Sequence, residues 1–188
     1  MKQGRRFDGE VLFLIDSSTD VSELNYRRQK SFVVEMAKYL NTEPAKTRVG
    51  ALVYSDSPSL QVSLGAQTSM DVFKQKVEHL PKFAGKRRVD KALSAASVVL
   101  SKARPSVPRI AVLLISGNQA EGEDFFSRSI EESLIAGIET YIVTIGSQVN
   151  LQKLRSLVAK PDDIFPVKTF DNLQKEAKPI TEEILEGK

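Results

Sequence analysis

The stretch Glu10-Val11-Leu12-Phe13-Leu14-Ile15-Asp16-Ser17-Ser18-Thr19-Asp20 sets the architecture of this chain. Its apolar run from Val11 to Ile15 predicts a strand that is buried on both faces, as in the middle of a parallel sheet. The run ends abruptly in acidic and hydroxyl residues, so the strand delivers polar side chains to its C-terminal tip. Because ligands of open α/β sheets bind beyond this edge, we take the cluster as the first candidate functional site.

Length and composition are those of a globular domain. The chain has 188 residues, of which 41% are hydrophobic and 27% charged, enough for a large core. No apolar run approaches the roughly 20 residues of a membrane-spanning helix, and no signal peptide is recognisable. The absence of cysteines says nothing about compartment. A formal net charge of +3 is too small to indicate a nucleic acid partner, and we expect no membrane partner either.

Strand and helix patterns alternate along the rest of the chain. Apolar runs predict further strands, and strict alternation from Leu60 to Leu64 after the turn Ser57-Pro58-Ser59 predicts a hairpin partner at the sheet edge. The strands expected from runs span residues 48–55, 109–117, 138–146 and 163–167. Amphipathic patterns and N-cap residues predict six helices. The first starts at Ser22-Glu23 and has apolar positions from Leu24 to Leu40, and the second starts after Ser69. The others are expected over residues 89–100, 123–136 and 151–157 and from Asp171 onward.

This order predicts an α/β fold. We expect a doubly wound, mostly parallel six-stranded sheet with one antiparallel edge strand and helices on both faces. No internal repeat or linker is visible, so residues 9–188 are predicted to form a single domain. Residues 1–8 are interpreted as a linker or a tail left by cloning.

The opening cluster also resembles a known motif. Asp16, Ser18 and Asp20 are similar to the Asp-x-Ser-x-Ser start of the metal-ion-dependent adhesion site in von Willebrand factor A (VWA) domains and integrin inserted domains, with Asp20 in place of the second serine. Further likeness runs from about Gly9 to Ile184. The segments that carry this likeness to the family are 32–33, 48–56, 92–93, 112–115 and 136–138. Segments 53–56, 164–165 and 170–173 are most similar to the A-type repeats of collagen VI, especially those of the N-terminal array of the alpha-3 chain. Matrilins and fibril-associated collagens are close alternatives.

The resemblance implies a degenerate ion site. In the family, the ion is held by the opening Asp, two hydroxyls, a Thr before the third helix and an Asp after the fourth strand. The alignment puts Arg87 at the Thr position and Ser116 at the Asp position, so the vestigial site is Asp16, Ser18, Asp20, Arg87 and Ser116. A guanidinium about 4 Å from a divalent ion repels it by roughly 8 kcal/mol at an effective dielectric near 20. We therefore expect no bound metal and a pair between Arg87 and Asp16, with Asp20 as a further partner.

Two alternatives to this site remain open. A one-residue shift in the loop alignment turns Arg88 or Lys86 inward and leaves Arg87 in solvent. A functional Mg²⁺ site would instead require Asp16, Ser18 and Asp20 to recruit the ion despite Arg87 and Ser116.

The implied function is interaction without catalysis. By resemblance, the chain is a secreted extracellular matrix module of a collagen VI type chain, which contacts other matrix proteins or collagen VI chains during microfibril assembly. The alternatives are a metal-dependent adhesion module of the integrin inserted-domain type and an intracellular scaffold with the same fold.

Other chemistry finds little support. His79 is the only histidine and follows a short helix, so a catalytic triad is not indicated, and no glycine-rich phosphate loop is present. Asp16 with Asp20 could form a paired-carboxylate acid-base site, but a vestigial ion site explains the same two residues without a substrate. The residues Lys86, Arg87, Arg88 and Lys91 form a candidate basic patch for a heparin-like glycosaminoglycan, with 27–30 and 102–109 as further basic segments. The alternative is solvated helix faces balanced by glutamates.

Overall fold

A six-stranded sheet in the order β3-β2-β1-β4-β5-β6 lies at the centre of the computed structural model, which describes residues 7–40, 46–66, 69–120, 126–186 and 188. Only β3 runs antiparallel to its neighbour, which confirms the predicted fold class. The strands are β1 (Gly9–Asp16), β2 (Thr47–Tyr54), β3 (Pro58–Val62), β4 (Arg109–Ile115), β5 (Glu139–Ile145) and β6 (Ile164–Val167).

Helices cover both faces of the sheet. They are α1 (Glu23–Tyr39), α2 (Met70–Glu78), α3 (Val89–Ser101), α4 (Phe126–Ala136), α5 (Leu151–Leu154), α6 (Phe170–Leu173) and α7 (Ala177–Glu186), with single 3₁₀ turns at Arg155–Leu157, Pro161–Asp163 and Gln174–Glu176. The hydroxyls of Ser22 and Ser69 accept hydrogen bonds from backbone N–H groups of the first turns of α1 and α2, as their positions in the sequence predict.

Strand β1 divides two hydrophobic cores because its side chains alternate between the faces. Phe13 and Ile15 pack on the side of α1, α2 and α7, whereas Leu12 and Leu14 pack on the side of α3. All four side chains are fully buried. The apolar run is therefore explained by burial on both faces.

Several details differ from the sequence prediction. Leu24 is 50% exposed, so it does not belong to the apolar stripe of α1. Strand β3 begins at Pro58 rather than Leu60, because pairing with β2 extends back to Tyr54. Phe7 is buried in the core on the α1 side, although it precedes the predicted domain start at Gly9. The expected start of α4 at Glu123 lies outside the described residues.

The strand order fixes the position of the candidate site. The chain passes from β1 to β2 on one side of β1 and from β4 to β5 on the opposite side of the sheet. The topological switch point therefore lies between the adjacent strands β1 and β4. Asp16 ends β1 and Ser116 directly follows β4. Ligands of open α/β sheets bind at this point. Within the described residues, no helix is both long enough and apolar enough to cross a bilayer.

Candidate functional site

Asp16 is the central carboxylate of the switch point and is fully buried. Its Oδ1 accepts hydrogen bonds from the backbone N–H and the hydroxyl of Ser18, at 3.1 and 2.6 Å. Its Oδ2 accepts from Arg87 Nε at 2.6 Å and from the backbone N–H and hydroxyl of Ser116, at 3.2 and 3.0 Å. Both oxygens are thus occupied by protein donors from three separate segments.

Arg87 lies between the two aspartates of the opening motif and is only 6% exposed. Its Nη1 and Nη2 donate to the two carboxylate oxygens of Asp20, at 3.2 and 2.5 Å, and Nη2 also lies 3.2 Å from the hydroxyl of Ser116. The Asp20 side chain is 66% exposed. The Arg87 guanidinium therefore bridges the buried carboxylate of Asp16 and the largely exposed carboxylate of Asp20, and its planar shape suits both contacts.

The neighbouring cations do not enter the site. Lys86 is exposed, and Arg88 donates from Nε and Nη2 to the carboxylate of Asp90, at 3.0 and 2.8 Å. The structure thus brings together Asp16, Ser18, Asp20, Arg87 and Ser116, and it places the inward-facing cation at position 87.

Electrostatics keep the guanidinium charged. Burial by itself lowers the pKa of Arg87, but the charge of Asp16 and the hydrogen bonds to Asp20 and Asp16 outweigh it and raise the pKa above its ordinary value. Burial also affects Tyr54, which ends β2. Its hydroxyl donates a hydrogen bond to the carbonyl oxygen of Leu114 at 2.6 Å. Burial, reinforced by the charge of Asp16, raises the pKa of Tyr54 well above its ordinary value.

The loop that carries Arg87 is held by backbone hydrogen bonds on both sides. Gly85 N–H donates to the hydroxyl of Thr19 at 2.8 Å, and Thr19 N–H donates to the Gly85 carbonyl at 2.9 Å. Gly85 has a φ of +141°, and a Cβ there would lie 2.5 Å from the carboxylate of Asp56. That carboxylate accepts the Lys86 N–H at 2.8 Å. These contacts fix the direction in which Arg87 leaves the backbone.

Two further residues shape the site and were not singled out by sequence reasoning. A Cβ at Gly117 would lie 2.3 Å from Arg87 Nη1, so the absence of a side chain there makes room for the guanidinium. The amide of Gln29 accepts the Asp16 N–H at 3.0 Å and donates to the Asp16 carbonyl at 2.8 Å. The available signals in the sequence were a glycine two residues after an apolar strand and a glutamine among the apolar positions of α1.

The four residues of the predicted basic patch differ in their surroundings. Arg87 is buried between Asp16 and Asp20, and Arg88 is paired with Asp90, so both charges are neutralised locally. Lys86 and Lys91 remain exposed. His79 is also exposed, with its Nδ1 2.7 Å from the Gln75 carbonyl at the end of α2. It does not contact the site.

Fold and site together define a doubly wound α/β domain with an acidic and hydroxyl cluster at its switch point. The family model of the von Willebrand factor type A domain matches residues 10–178. The chain belongs to this family.

The relatives to which the chain is similar include a cuticlin and a collagen. Cuticlin-6 of Caenorhabditis elegans is 23% identical over 167 residues, which are 88% of this chain and 29% of cuticlin-6. The collagen alpha-1(VI) chain of Gallus gallus is 29% identical over 155 residues, 79% of this chain and 15% of the collagen. The predicted relation to matrix collagens is confirmed. The chain spans less than a third of each of these relatives.

A structural neighbour shares the fold. Proximal thread matrix protein 1 of the mussel byssus superposes with a TM-score of 0.86 at 16% identity, over 93% of this chain and 47% of that one. The same protein has been solved with zinc in its MIDAS motif, the metal-ion-dependent adhesion site, and that structure is 15% identical to this chain.

Proposed function

We propose that this chain is a non-enzymatic interaction module of a secreted extracellular matrix protein, in which an internal guanidinium replaces the divalent ion of the adhesion site. The observation that carries the proposal is the buried contact between Arg87 and Asp16. The module then binds its partners through protein surface alone, without a metal-bridged contact.

The donor set supports this proposal. The carboxylate oxygens of Asp16 accept hydrogen bonds from Arg87, Ser18 and Ser116. A divalent ion needs oxygen ligands with available lone pairs, so it would have to displace Arg87 and leave that charge partly desolvated. The residues present suit a guanidinium better than a hard cation.

The relatives support the matrix setting. Cuticlin-6, the collagen alpha-1(VI) chain and the byssus protein are named as cuticle, collagen and thread matrix components. We propose a collagen VI type chain as the parent protein and other matrix proteins or collagen VI chains as partners in microfibril assembly. A heparin-like partner is not part of the proposal, because Arg87 and Arg88 are already paired.

The test combines ion binding and adhesion. Thermal unfolding is measured with EDTA and with MgCl₂, MnCl₂ or ZnCl₂, and binding to immobilised cell-derived extracellular matrix is measured in EDTA and in MgCl₂. We expect saturable binding to the matrix that EDTA leaves unchanged, and no saturable thermal shift with any ion. Loss of binding in EDTA would contradict the proposal.

A metal-dependent adhesion module of the integrin type is the second candidate. It is favoured by the retained oxygen ligands Asp16, Ser18 and Asp20 and by the zinc-occupied MIDAS of the byssus protein. This candidate predicts ion-dependent thermal stabilisation together with EDTA-sensitive adhesion, so the same experiment separates the two.

A further inference from the structure

A groove of about 330 Å³ lies far from Arg87, beside the start of β5. One wall is the C-terminal half of α4, and the other is the chain between α5 and β6. Because β5 is parallel to β1, its first residues lie at the sheet edge opposite to the Asp16 site. The residues that line the groove include Ile130, Leu134, Tyr141, Leu157, Val158 and Asp163.

The α4 wall presents apolar surface to solvent. Leu134 is 74% exposed and its neighbour Ile135 is 80% exposed. Among the described side chains of α4, only that of Ser129 is fully buried, so the helix contributes little to the core. Leu134 is part of the groove lining, whereas Ile135 is not.

The lining of the groove includes a carboxylate without a partner among the described residues. The residue Asp163 is 7% exposed, and its side chain makes no hydrogen bond or ion pair within the part of the chain that the structure describes. Its oxygens are not among the fully buried unpaired side-chain atoms, so the carboxylate opens onto the groove. The carboxylates of the other buried acidic residues are paired within the chain: Glu10 with Arg48 and Arg104, Asp16 with Arg87, and Asp90 with Arg88.

The lysines that line the groove leave Asp163 unpaired. The ammonium of Lys188 contacts the carboxylate of Glu139 and lies 5.5 Å from the centre of the Tyr141 ring. Lys160 is exposed at the rim. The carboxylate of Asp163 is therefore open to a cation from outside the chain.

We propose that this groove binds a lysine or arginine side chain of a partner protein, with an adjacent apolar residue of the partner packed against Leu134. The long aliphatic stem of a basic side chain suits the apolar walls, and its charged end reaches Asp163. This assignment adds a partner chemistry to the proposed interaction module. It rests on the proposed function only in assuming that the partner is a protein. It does not depend on Arg87 or on the absence of a metal ion.

The probe is the tripeptide acetyl-Leu-Arg-Leu-amide, compared with the same peptide carrying citrulline, which has the shape of arginine without its charge. Binding to the isotope-labelled chain is measured by NMR titration up to about 10 mM, since a contact of this size gives millimolar affinity. We expect saturable shifts around residues 130–134 and 157–163 with the arginine peptide. The citrulline peptide should bind at least about fivefold more weakly.

Two matched pairs of variants assign the contact. Asp163→Asn should weaken binding of the arginine peptide at least about fivefold, whereas Asp162→Asn, which removes an exposed charge next to it, should leave binding within about twofold. Leu134→Ala should weaken binding, and Ile135→Ala should not. Asp163→Asn should also unfold at the same or a higher temperature than the parent, because it removes a charge that makes no ion pair among the described residues.

Several outcomes would overturn the inference. They are a parent chain that shows no saturable shifts, equal binding of the citrulline peptide, or equal binding by the Asp163→Asn chain. An Asp163→Asn chain that fails to fold would show that the carboxylate has a structural partner, which also removes the premise. Preference for a sulfated oligosaccharide in the groove would contradict it as well. None of these results bears on adhesion in EDTA, so the two proposals fail separately.

Discussion

Arg87 Nε donates to Asp16 Oδ2 over 2.6 Å, joining residues 71 positions apart in the chain. The two side chains are 6% and 0% exposed, while Asp20, the second partner of the guanidinium, is 66% exposed. The contact of Arg87 with Asp16 is thus buried, whereas its contact with Asp20 is exposed to water. Because the buried contact joins two full charges of opposite sign, removing one of them should cost more stability than breaking a surface ion pair does.

Arg87→Ala should destabilise the fold by about 3 to 5 kcal/mol, since it leaves the buried carboxylate of Asp16 without its cation. Urea unfolding of the variant and the parent at neutral pH measures the difference. Asp20→Asn is the control: its carboxylate is largely solvated, so the expected loss is below about 1 kcal/mol. Equal effects of the two substitutions would show that the Arg87 pair is hydrated.

The sequence was sufficient to predict the sheet and the main contact of the site. Continuous apolar runs such as Leu12 to Ile15 leave only a doubly buried strand as an interpretation. Arg87 was identified because the resemblance gives a position for each ligand. The candidate basic patch shows what the sequence leaves open, because a basic residue can be paired with a carboxylate in the folded chain, as Arg88 is with Asp90.

Gly117→Ala should destabilise the protein by about 1 to 3 kcal/mol, because the new methyl group would lie 2.3 Å from Arg87 Nη1. The guanidinium is held by hydrogen bonds to Asp16 and Asp20, so it cannot move aside without breaking them. In an Arg87→Ala background the same methyl group meets empty space, and its effect should shrink. A double-mutant cycle by urea unfolding gives the coupling. Additive effects would refute the role assigned to Gly117.

Gly117 and Asp163 show what the sequence could not reveal. The glycine is required by a side chain 30 positions earlier, and no local pattern records such a contact. Asp163 belongs to the run Pro161-Asp162-Asp163, and nothing in this run indicates that Asp163 is a buried residue while Asp162 is exposed. Both features depend on tertiary packing.

Stability should fall in alkaline solution through the buried tyrosines. Burial raises the pKa of Tyr54 and of Tyr26, so both stay neutral in the folded state where the unfolded chain ionises, above about pH 10. Their contribution is complete below that pH and is lost as pH rises, at about 1.4 kcal/mol per pH unit for each tyrosine.

Tyr54→Phe isolates one of these contributions. At pH 8 it should cost about 1 kcal/mol, because the hydrogen bond to the Leu114 carbonyl is lost. Between pH 10 and 11 the deficit relative to the parent should shrink, since the variant lacks the Tyr54 hydroxyl whose raised pKa makes the parent lose stability in this range. Urea unfolding at both pH values measures it, with Tyr39→Phe, at a 42% exposed position, as the control. A deficit that stays constant with pH would contradict the assignment.

Replacing the internal cation should restore an ion site. Arg87→Thr combined with Ser116→Asp removes the guanidinium from Asp16 and Asp20 and adds a carboxylate and a hydroxyl as oxygen ligands, the donors that Mg²⁺ and Mn²⁺ prefer. Without metal, the crowded carboxylates should lower the thermal midpoint. Either ion should then raise it with a saturable concentration dependence, by the linkage between binding and stability. Arg88→Thr, which makes the same Arg to Thr change one position further along, is the control and should gain no ion response, because Arg88 pairs with Asp90 outside the site. An ion response already present in the parent, or absent from a folded double variant, would show that Arg87 is not what excludes the metal.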